Sequence, residues 1–406
     1  MFKEIFLFEL KYRFKRPATY LYFGLLFLFM FLNIIYGSGP ASEKANLNSP
    51  YAISQMLIII SIFASLISSA IMGVPIYREV EFGTKDYFFS FPITEKGYLM
   101  GRFLGSFVTL LFVCFGMVLG ILLGGILGPL LGLAENASRF APVNLWHHIQ
   151  PYLLFVVPNM LFTGCLFFSL VALTRKVFII YSGGILLLIA YLLSTVLTRD
   201  LENKNLVDLI DPFGLTTFNN ATKYWTPFEQ NTLTAPLVGN LLYNRLIWTG
   251  LGLVVFLGVL YRFSFQRFLS VKLGKKQKDE ERPTTRLSLA DLPVADKIYS
   301  SSIFLRQMFS QAWLEFGQII RDPYFIAIMV GALFFLFTDG WFGFPQFGTP
   351  SLPLTYYMIE VKDFNYGLFV YIILIFYTGE VVHRDKSVKY NLISDSLPVP
   401  NWMVYG

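Results

Sequence analysis

The stretch Gly73–Phe103 reads GVPIYREVEFGTKDYFFSFPITEKGYLMGRF and separates two long apolar runs. Charged residues alternate in it with tyrosine and phenylalanine. A buried loop would not hold so many charges, and a freely solvated loop would not need so many aromatic rings. The pattern therefore predicts an amphipathic segment that lies at a membrane surface.

Features of this stretch return near the end of the chain, at an offset of 306 residues. The aligned pairs are Gly73 with Gly379, Arg78 with Arg384, Glu79 with Asp385, Pro92 with Pro398, Glu9 with Glu315, Lys15 with Arg321, and Pro17 with Pro323. The pairs fall at equivalent points of the hydropathy pattern. We interpret the chain as containing an internal repeat.

The composition is that of a membrane protein. Hydrophobic residues make up 55% of the chain and charged residues 14%, whereas a soluble domain carries about 25% charged residues. The net charge of +6 suits basic loops that face an anionic lipid leaflet. Because the basic residues lie at the ends of apolar runs, we expect no nucleic-acid partner. Both cysteines fall in apolar runs, which indicates core residues and no disulfide framework.

The hydropathy pattern predicts an all-α, polytopic helical membrane protein in two unequal parts. Residues 1–263 hold an interfacial helix at 1–16 and six transmembrane spans. Residues 264–302 are a basic cytoplasmic linker, and residues 303–406 hold a second interfacial helix and two further spans. The expected spans lie at about 18–36, 51–75, 103–133, 151–173, 177–197 and 241–261, then at about 323–338 and 365–382.

Lysine and arginine concentrate in alternate connecting segments. The positive-inside rule then predicts a cytoplasmic N-terminus. Six spans separate the two copies, so both copies have the same orientation and form a parallel repeat about an axis along the membrane normal.

Each copy opens with an amphipathic stretch that we predict to lie in the cytoplasmic interface. The first stretch mixes Phe and Leu with basic residues and stops at a proline. The residues assigned to the interfacial helices are Glu9, Arg13, Arg16 and Pro17 in the first copy, and Glu315, Arg321 and Pro323 in the second.

Glycine recurs every fourth residue in the third apolar run. That spacing puts Gly116, Gly120, Gly124 and Gly128 on one helix face, where two backbones can approach closely. The pattern predicts a helix-packing seam, with the general enrichment of glycine in membrane helices as the alternative.

Each copy of the repeat contains an arginine followed directly by an acidic residue, and this pair has two interpretations. Arg78–Glu79 and Arg384–Asp385 follow the ends of apolar runs, where a snorkelling arginine with a neighbouring acid is common. The matched positions favour a docking element that transmits a push from a soluble partner. The residues assigned to it are Arg78, Glu79, Lys85, Asp86, Phe91, Pro92, Arg384, Asp385 and Pro398.

The chain has no phosphate-binding GxxxxGK[ST] motif and no HExxH motif. Adjacent His147 and His148 point apart on a helix and lack an evident third ligand, so we expect no metal site. We find no clear Asp, Glu or His in mid-span, which argues against a proton- or ion-coupled carrier. We therefore expect no catalytic residue here and a machine powered from outside the membrane; an intramembrane enzyme is a weaker alternative.

The order of an interfacial helix, two spans, an amphipathic cytoplasmic segment and four more spans resembles the membrane permease subunit of a type-2 ABC exporter. The resemblance implies that the segment from Arg78 to Pro92 is a coupling helix docking on a separate cytoplasmic ATPase. That ATPase would carry ATP and magnesium, with no cofactor in this chain. It also implies a multi-pass bacterial inner-membrane protein in contact with the lipid bilayer, which exports a substrate that the sequence does not identify.

Five stretches resemble one bacterial subgroup more closely, in which the permease is fused to a zinc peptidase of the aminopeptidase-N kind. They are FELKYRFKRPATY at Phe8–Tyr20, ISSAIMGVPIYRE at Ile67–Glu79, GRFLGSF at Gly101–Phe107, DPFG at Asp211–Gly214 and YWTPFEQNT at Tyr224–Thr232. The chain lacks the remaining spans and the peptidase, so it resembles an N-terminal fragment. The alternative function is a membrane anchor for a catalytic domain beyond Gly406.

Overall fold

The computed structural model describes residues 2–37, 44–81, 93–134, 136–174, 178–198, 201, 203–265 and 301–322, with shorter pieces between 325 and 379. All regular structure in these residues is helical. The chain divides into two units, Met1–Val271 and Lys272–Gly406, with the division inside the basic linker.

The first unit contains long apolar helices joined by short ones. Helix α1 spans Phe2–Phe14, α2 Pro17–Tyr36, α3 Pro50–Glu81, α4 Glu95–Leu130, α5 Leu145–Pro151, α6 Val157–Thr174, α7 Phe178–Thr198, α8 Lys204–Ile210, α9 Leu215–Thr222, α10 Pro227–Thr232 and α11 Gly239–Arg262. A π-helical turn, Tyr152–Val156, joins α5 to α6. The ends of most helices follow the predicted apolar runs.

Helices α3 and α4 form the centre of the first unit. Helix α3 packs against α4, α6 and α7, while α4 also packs against α1 and α2, and α11 packs against α6. The outer face of α2 carries exposed leucines, among them Leu21, Leu25 and Leu28. An apolar helix with one buried stripe and one exposed apolar face suits a helix with lipid on one side.

Five described helices are long and apolar enough to cross a membrane, so the chain is a helical membrane protein. They are Pro17–Tyr36, Pro50–Ile76, Glu95–Leu130, Leu145–Thr174 and Gly239–Arg262. Helix α7 corresponds to the predicted fifth span. Its apolar stretch, Gly183–Thr195, is shorter than those of the five candidate spans. Of the predicted eighth span, residues 369–375 are described as helical, and the predicted span at 323–338 lies largely outside the described residues.

The polar interruption at Gly73–Phe103 is shorter than the sequence predicts. Helix α3 continues to Glu81, and α4 begins at Glu95 rather than near residue 103. With 36 residues, α4 is about 54 Å long at the usual rise per residue, well beyond the roughly 30 Å of hydrocarbon in a bilayer. The surplus residues extend both helices past the membrane, so only 82–94 connects them.

Glycines on α4 let α2 approach closely. A Cβ atom at Gly116 would lie 2.7 Å from the carbonyl oxygen of Phe23, and one at Gly124 would lie 3.0 Å from that of Phe31. At Gly120 it would overlap the carbonyl oxygen of Phe27. In a membrane, where lipid is as apolar as leucine, such close packing rather than hydrophobic burial holds helices together.

The second unit is described mainly by helix α12, Ser301–Arg321. Its exposed residues include Phe309, Trp313, Leu314 and Phe316. The predicted interfacial residue Glu315 is half-buried on this helix, and Arg321 is exposed. Pro323 lies outside the described residues.

Replacing Gly120 by alanine should separate α2 from α4 and lower stability by about 1–3 kcal/mol, because the added methyl group overpacks the seam. The matched control is Gly24→Ala on the facing helix, where a Cβ would meet nothing within 4 Å. That change should leave stability unchanged or raise it slightly. Thermal unfolding of the detergent-purified chain measures both, and equal midpoints would contradict the seam.

Candidate functional site

Four charged side chains from three helices meet where α3 ends and α4 begins. Arg13 Nε donates to Glu9 Oε1 at 2.7 Å, and Arg78 Nη2 donates to Glu9 Oε2 at 2.9 Å. Arg102 Nη1 donates to the same Oε2. All four residues are buried. We call Glu9, Arg13, Arg78 and Arg102 the Glu9 cluster.

The local sequence puts Glu9 inside rather than at the surface. Ile5, Glu9 and Arg13 are spaced by four residues, so they share one helix face, and all three are buried. The opposing surface of α4 is made by glycines. A Cβ at Gly101 would lie 2.8 Å from Ile5 Cγ2, and one at Gly105 would lie 2.7 Å from Glu9 Cβ. Only glycine at these positions lets α1 lie so close.

Arg13 also repairs a break in the hydrogen bonding of α3. Pro75 lies inside that helix and has no N–H to donate to the carbonyl of Ile71. Arg13 Nη2 donates to the Ile71 carbonyl oxygen at 2.7 Å and to Ser106 Oγ at 3.1 Å. One guanidinium group therefore joins α1, α3 and α4.

Glu9 is ionised in the folded protein. Burial by itself would raise the pKa of Glu9, but the charges of Arg13, Arg102 and Arg78 outweigh it and lower the pKa to about 2. Aromatic rings cover the guanidinium faces: Arg78 Cζ lies 4.0 Å from the centroid of the Tyr12 ring, and Arg102 Cζ lies 5.4 Å from that of Phe8.

Replacing Glu9 by glutamine should lower stability near pH 7 by about 3 kcal/mol, because three guanidinium groups lose their shared anion. A carboxyl group whose pKa is lowered by folding stabilises the folded protein at pH values above its ordinary pKa. The stability difference between Glu9→Gln and wild type should therefore be complete above about pH 5. It should shrink as pH falls toward about 2.

Thermal midpoints measured across this pH range test the expectation. The control is Glu4→Gln, which removes an exposed carboxylate from the same helix and should change little. A Glu9→Gln difference that did not change with pH would contradict an ionised Glu9.

A second polar cluster lies about 25 Å further back along α3, counted from Arg78 to Ser61 at the helical rise per residue. Arg245 Nη1 donates to Asn159 Oδ1 at 2.7 Å, and Asn159 Nδ2 donates to Ser61 Oγ at 2.8 Å. Asn244 Nδ2 donates to the carbonyl oxygen of Asp211 at 2.8 Å. These bonds tie α11 to α6, α3 and the segment before α9. We call Arg245, Asn159, Asn244 and Asp211 the Arg245 cluster.

The DPFG stretch, Asp211–Gly214, is a tight turn that starts α9. Asp211 Oδ1 accepts from the backbone N–H groups of Phe213 and Gly214 at 3.0 Å each, and Oδ2 accepts from that of Thr216 at 2.6 Å. Gly214 has φ +80, and a Cβ there would lie 2.5 Å from Arg245 Nη2. Both the backbone conformation and the space require glycine.

The YWTPFEQNT stretch, Tyr224–Thr232, fixes another loop at this end of the bundle. Thr226 and Glu229 form a capping box at the start of α10. Asn231 Oδ1 accepts from the backbone N–H of Asn46 at 2.8 Å, and its Nδ2 donates to the carbonyl oxygen of Lys44 at 3.2 Å. The motif thus connects the segment before α11 to the segment before α3.

Replacing Gly214 by alanine should loosen residues 201–238, because the methyl group meets Arg245 in addition to the backbone strain of a positive φ, which alone is about 1 kcal/mol. Gly239 gives a matched control: its φ is +60, but a Cβ there meets nothing within 4 Å. Limited proteolysis should cut residues 201–238 faster in Gly214→Ala than in Gly239→Ala. Equal cleavage rates in the two variants would contradict the claim that the contact with Arg245 requires glycine at position 214.

The structure corrects the surface placement of several predicted residues. Glu9 and Arg13 are buried and do not lie on a polar interfacial face. Arg16 and Pro17 are exposed, with Pro17 as the first residue of α2. Arg78 was assigned to a partner contact, yet its side chain is 9% exposed and bonded to Glu9. Little of it can touch a soluble partner.

The other predicted docking residues fall outside what the structure describes. This holds for the side chain of Glu79 and for Lys85, Asp86, Phe91, Pro92, Arg384, Asp385 and Pro398. The predicted packing glycines Gly116, Gly120, Gly124 and Gly128 are all buried on α4.

Two arginines near the ends of apolar helices are buried, which the sequence pattern does not predict. Arg245 lies in the apolar helix Gly239–Arg262 and is 5% exposed, and Arg102 lies in Glu95–Leu130 and is 1% exposed. Hydropathy misses both because each sits near a helix end, where a charge is usually taken to be solvated. Their partners come from distant parts of the chain.

Among the described residues, no three His, Cys, Asp or Glu side chains come together to hold a metal ion. Comparison with known proteins assigns no relatives: no protein-family model matches the chain, and no curated protein matches it. The function therefore has to be argued from the Glu9 cluster and the segment beside it.

Proposed function

We propose that this chain is the membrane permease subunit of an ATP-driven exporter of the type-2 ABC class, working with a separate cytoplasmic ATPase. The observation that carries the proposal is the position of the Glu9 cluster. It joins α1, α3 and α4 at the two helix ends that the aromatic-rich segment 82–94 connects.

A coupling segment must pass its displacement to the helices on both sides. Arg78 lies three residues before the end of α3, and Arg102 lies within the first turns of α4. Both donate to the same Glu9 oxygen. Breaking a buried ion pair is strongly unfavourable, by about 3–5 kcal/mol. A push on 82–94 would then move α1, α3 and α4 together instead of bending the chain locally.

The orientation in this proposal follows the distribution of basic residues. Exposed Lys3, Lys11, Lys15 and Arg16 lie on or beside α1, at the same end as the Glu9 cluster. The positive-inside rule assigns that end to the cytoplasm, where a soluble ATPase would meet the segment 82–94. The membrane would be the inner membrane of a bacterium, and ATP and magnesium would be bound by the ATPase.

Exchanging the charges at positions 85 and 86, as Lys85→Glu with Asp86→Lys, should weaken ATPase binding at least tenfold, or about 1.4 kcal/mol. The exchange keeps the net charge and leaves the Glu9 cluster intact, but it sets like charges against the partner. The readout is the ATP-hydrolysing subunit recovered with the affinity-tagged chain from native membranes.

The matched control is Lys223→Glu, an exposed charge in the segment tied to the Arg245 cluster. It should leave recovery unchanged. If wild type recovers no ATPase, or if the exchanged variant recovers as much as wild type, the exporter proposal is wrong. The alternative of a membrane anchor that takes no part in transport then replaces it.

A further inference from the structure

Arg78 has an incomplete set of hydrogen-bond partners in the Glu9 cluster. Its Nη2 donates to Glu9, but its buried Nη1 has no hydrogen-bond acceptor among the described residues. The side chain is 9% exposed. A buried guanidinium N–H without an acceptor is strongly unfavourable, so an unmet donor at this place indicates that an acceptor binds there.

The ion pairing of Arg78 is also shared. Its ionic partner in the described chain is Glu9, and that carboxylate also accepts from Arg13 and Arg102. A single negative charge divided over three guanidinium groups leaves the Arg78 end of the cluster positive. The missing acceptor is therefore expected to be an anion.

Aromatic rings lie against the guanidinium group of Arg78, so an anion reaches it most readily at an edge. The Tyr12 ring lies 4.0 Å and the Phe8 ring 6.0 Å from Arg78 Cζ. An edge-on approach to a planar guanidinium group is the geometry by which arginine binds the oxygens of phosphate in a bidentate way.

The cluster lies just past the end of the apolar part of α3, where lipid headgroups are expected. The apolar stretch of α3, Pro50–Ile76, ends two residues before Arg78, or about 3 Å along the helix. Phe8, which lies against both Arg78 and Arg102, is half exposed, and so is its neighbour Leu7. An exposed apolar rim next to a buried cation matches a ligand with a phosphate head and an acyl chain.

We infer that the phosphate group of an anionic phospholipid binds at Arg78, with its acyl chain along Phe8. The Nη1 and the positive end of the cluster take the phosphate oxygens, and the α1 surface takes the chain. The site does not depend on transport or on an ATPase, so it stands or falls separately from the exporter proposal.

The test uses the full chain in lipid nanodiscs of phosphatidylcholine, with or without phosphatidylglycerol. Phosphatidylglycerol should raise the thermal midpoint of wild type by about 3 °C, and native mass spectrometry should find it retained after detergent extraction. Inorganic phosphate added to phosphatidylcholine discs should have little effect, because it lacks the acyl chain.

The variants are Arg78→Gln, which removes the positive charge and the guanidinium group, and Phe8→Ala, which removes an exposed contact and leaves all Glu9 bonds in place. Both should lose most of the phosphatidylglycerol shift. The control is Arg262→Gln, an exposed arginine at the end of α11, which should keep it.

For each variant, the thermal midpoint with phosphatidylglycerol is compared with the midpoint of the same variant without it. The lipid effect can therefore be measured even in a variant of lower basal stability. An equal shift in Phe8→Ala, Arg78→Gln and the control would reduce the effect to general surface charge and overturn the site. A full shift with inorganic phosphate would overturn the lipid assignment. No shift in wild type would overturn the site.

Discussion

The first unit of the protein depends on a single carboxylate, that of Glu9. Three guanidinium groups from α1, α3 and α4 lie within hydrogen-bonding distance of it, and without its charge they would repel one another in a medium that screens poorly. The same carboxylate holds α1 against the bundle. Because α1 is not among the candidate spans, this ionic attachment, with the close packing on the two glycines opposite, is what holds it against the bundle.

The Arg245 cluster performs a comparable task at the other end. Its arginine is satisfied by amide and carbonyl oxygens rather than by a directly bonded carboxylate. Between the two clusters the buried polar residues of α3 are serines: Ser65 donates to a carbonyl of its own helix, and Ser68 Oγ accepts from Thr163 Oγ1 of α6 at 3.1 Å. The middle of the bundle is thus neutral and closely packed, while both ends are fastened by buried polar groups. Relative helix movements are easiest to accommodate where such fastenings are absent.

Local pattern predicts part of this architecture. The apolar runs give most helices to within a few residues, and the four-residue glycine spacing marks the surface of α4 that meets α2. The Glu9 cluster was missed because a charge near a span end reads as solvated, although Ile5, Glu9 and Arg13 already share one face. What the sequence could not supply is the partner: Glu9 and Arg102 are 93 residues apart, and no periodicity connects them. The start of α4 was placed too late for a related reason, since the charges at Glu95–Arg102 hide a helix that extends past the membrane.

The proline in α3 has a consequence for assembly. Helix α1 leaves the ribosome before α3, and the Ile71 carbonyl that Pro75 leaves open obtains its donor from Arg13 of α1. A lone polar carbonyl is unfavourable at the edge of the hydrocarbon. We therefore expect α3 to reach its final depth in the membrane only after α1 has docked. The thirteen residues of α1 would then act as an internal template for the placement of α3.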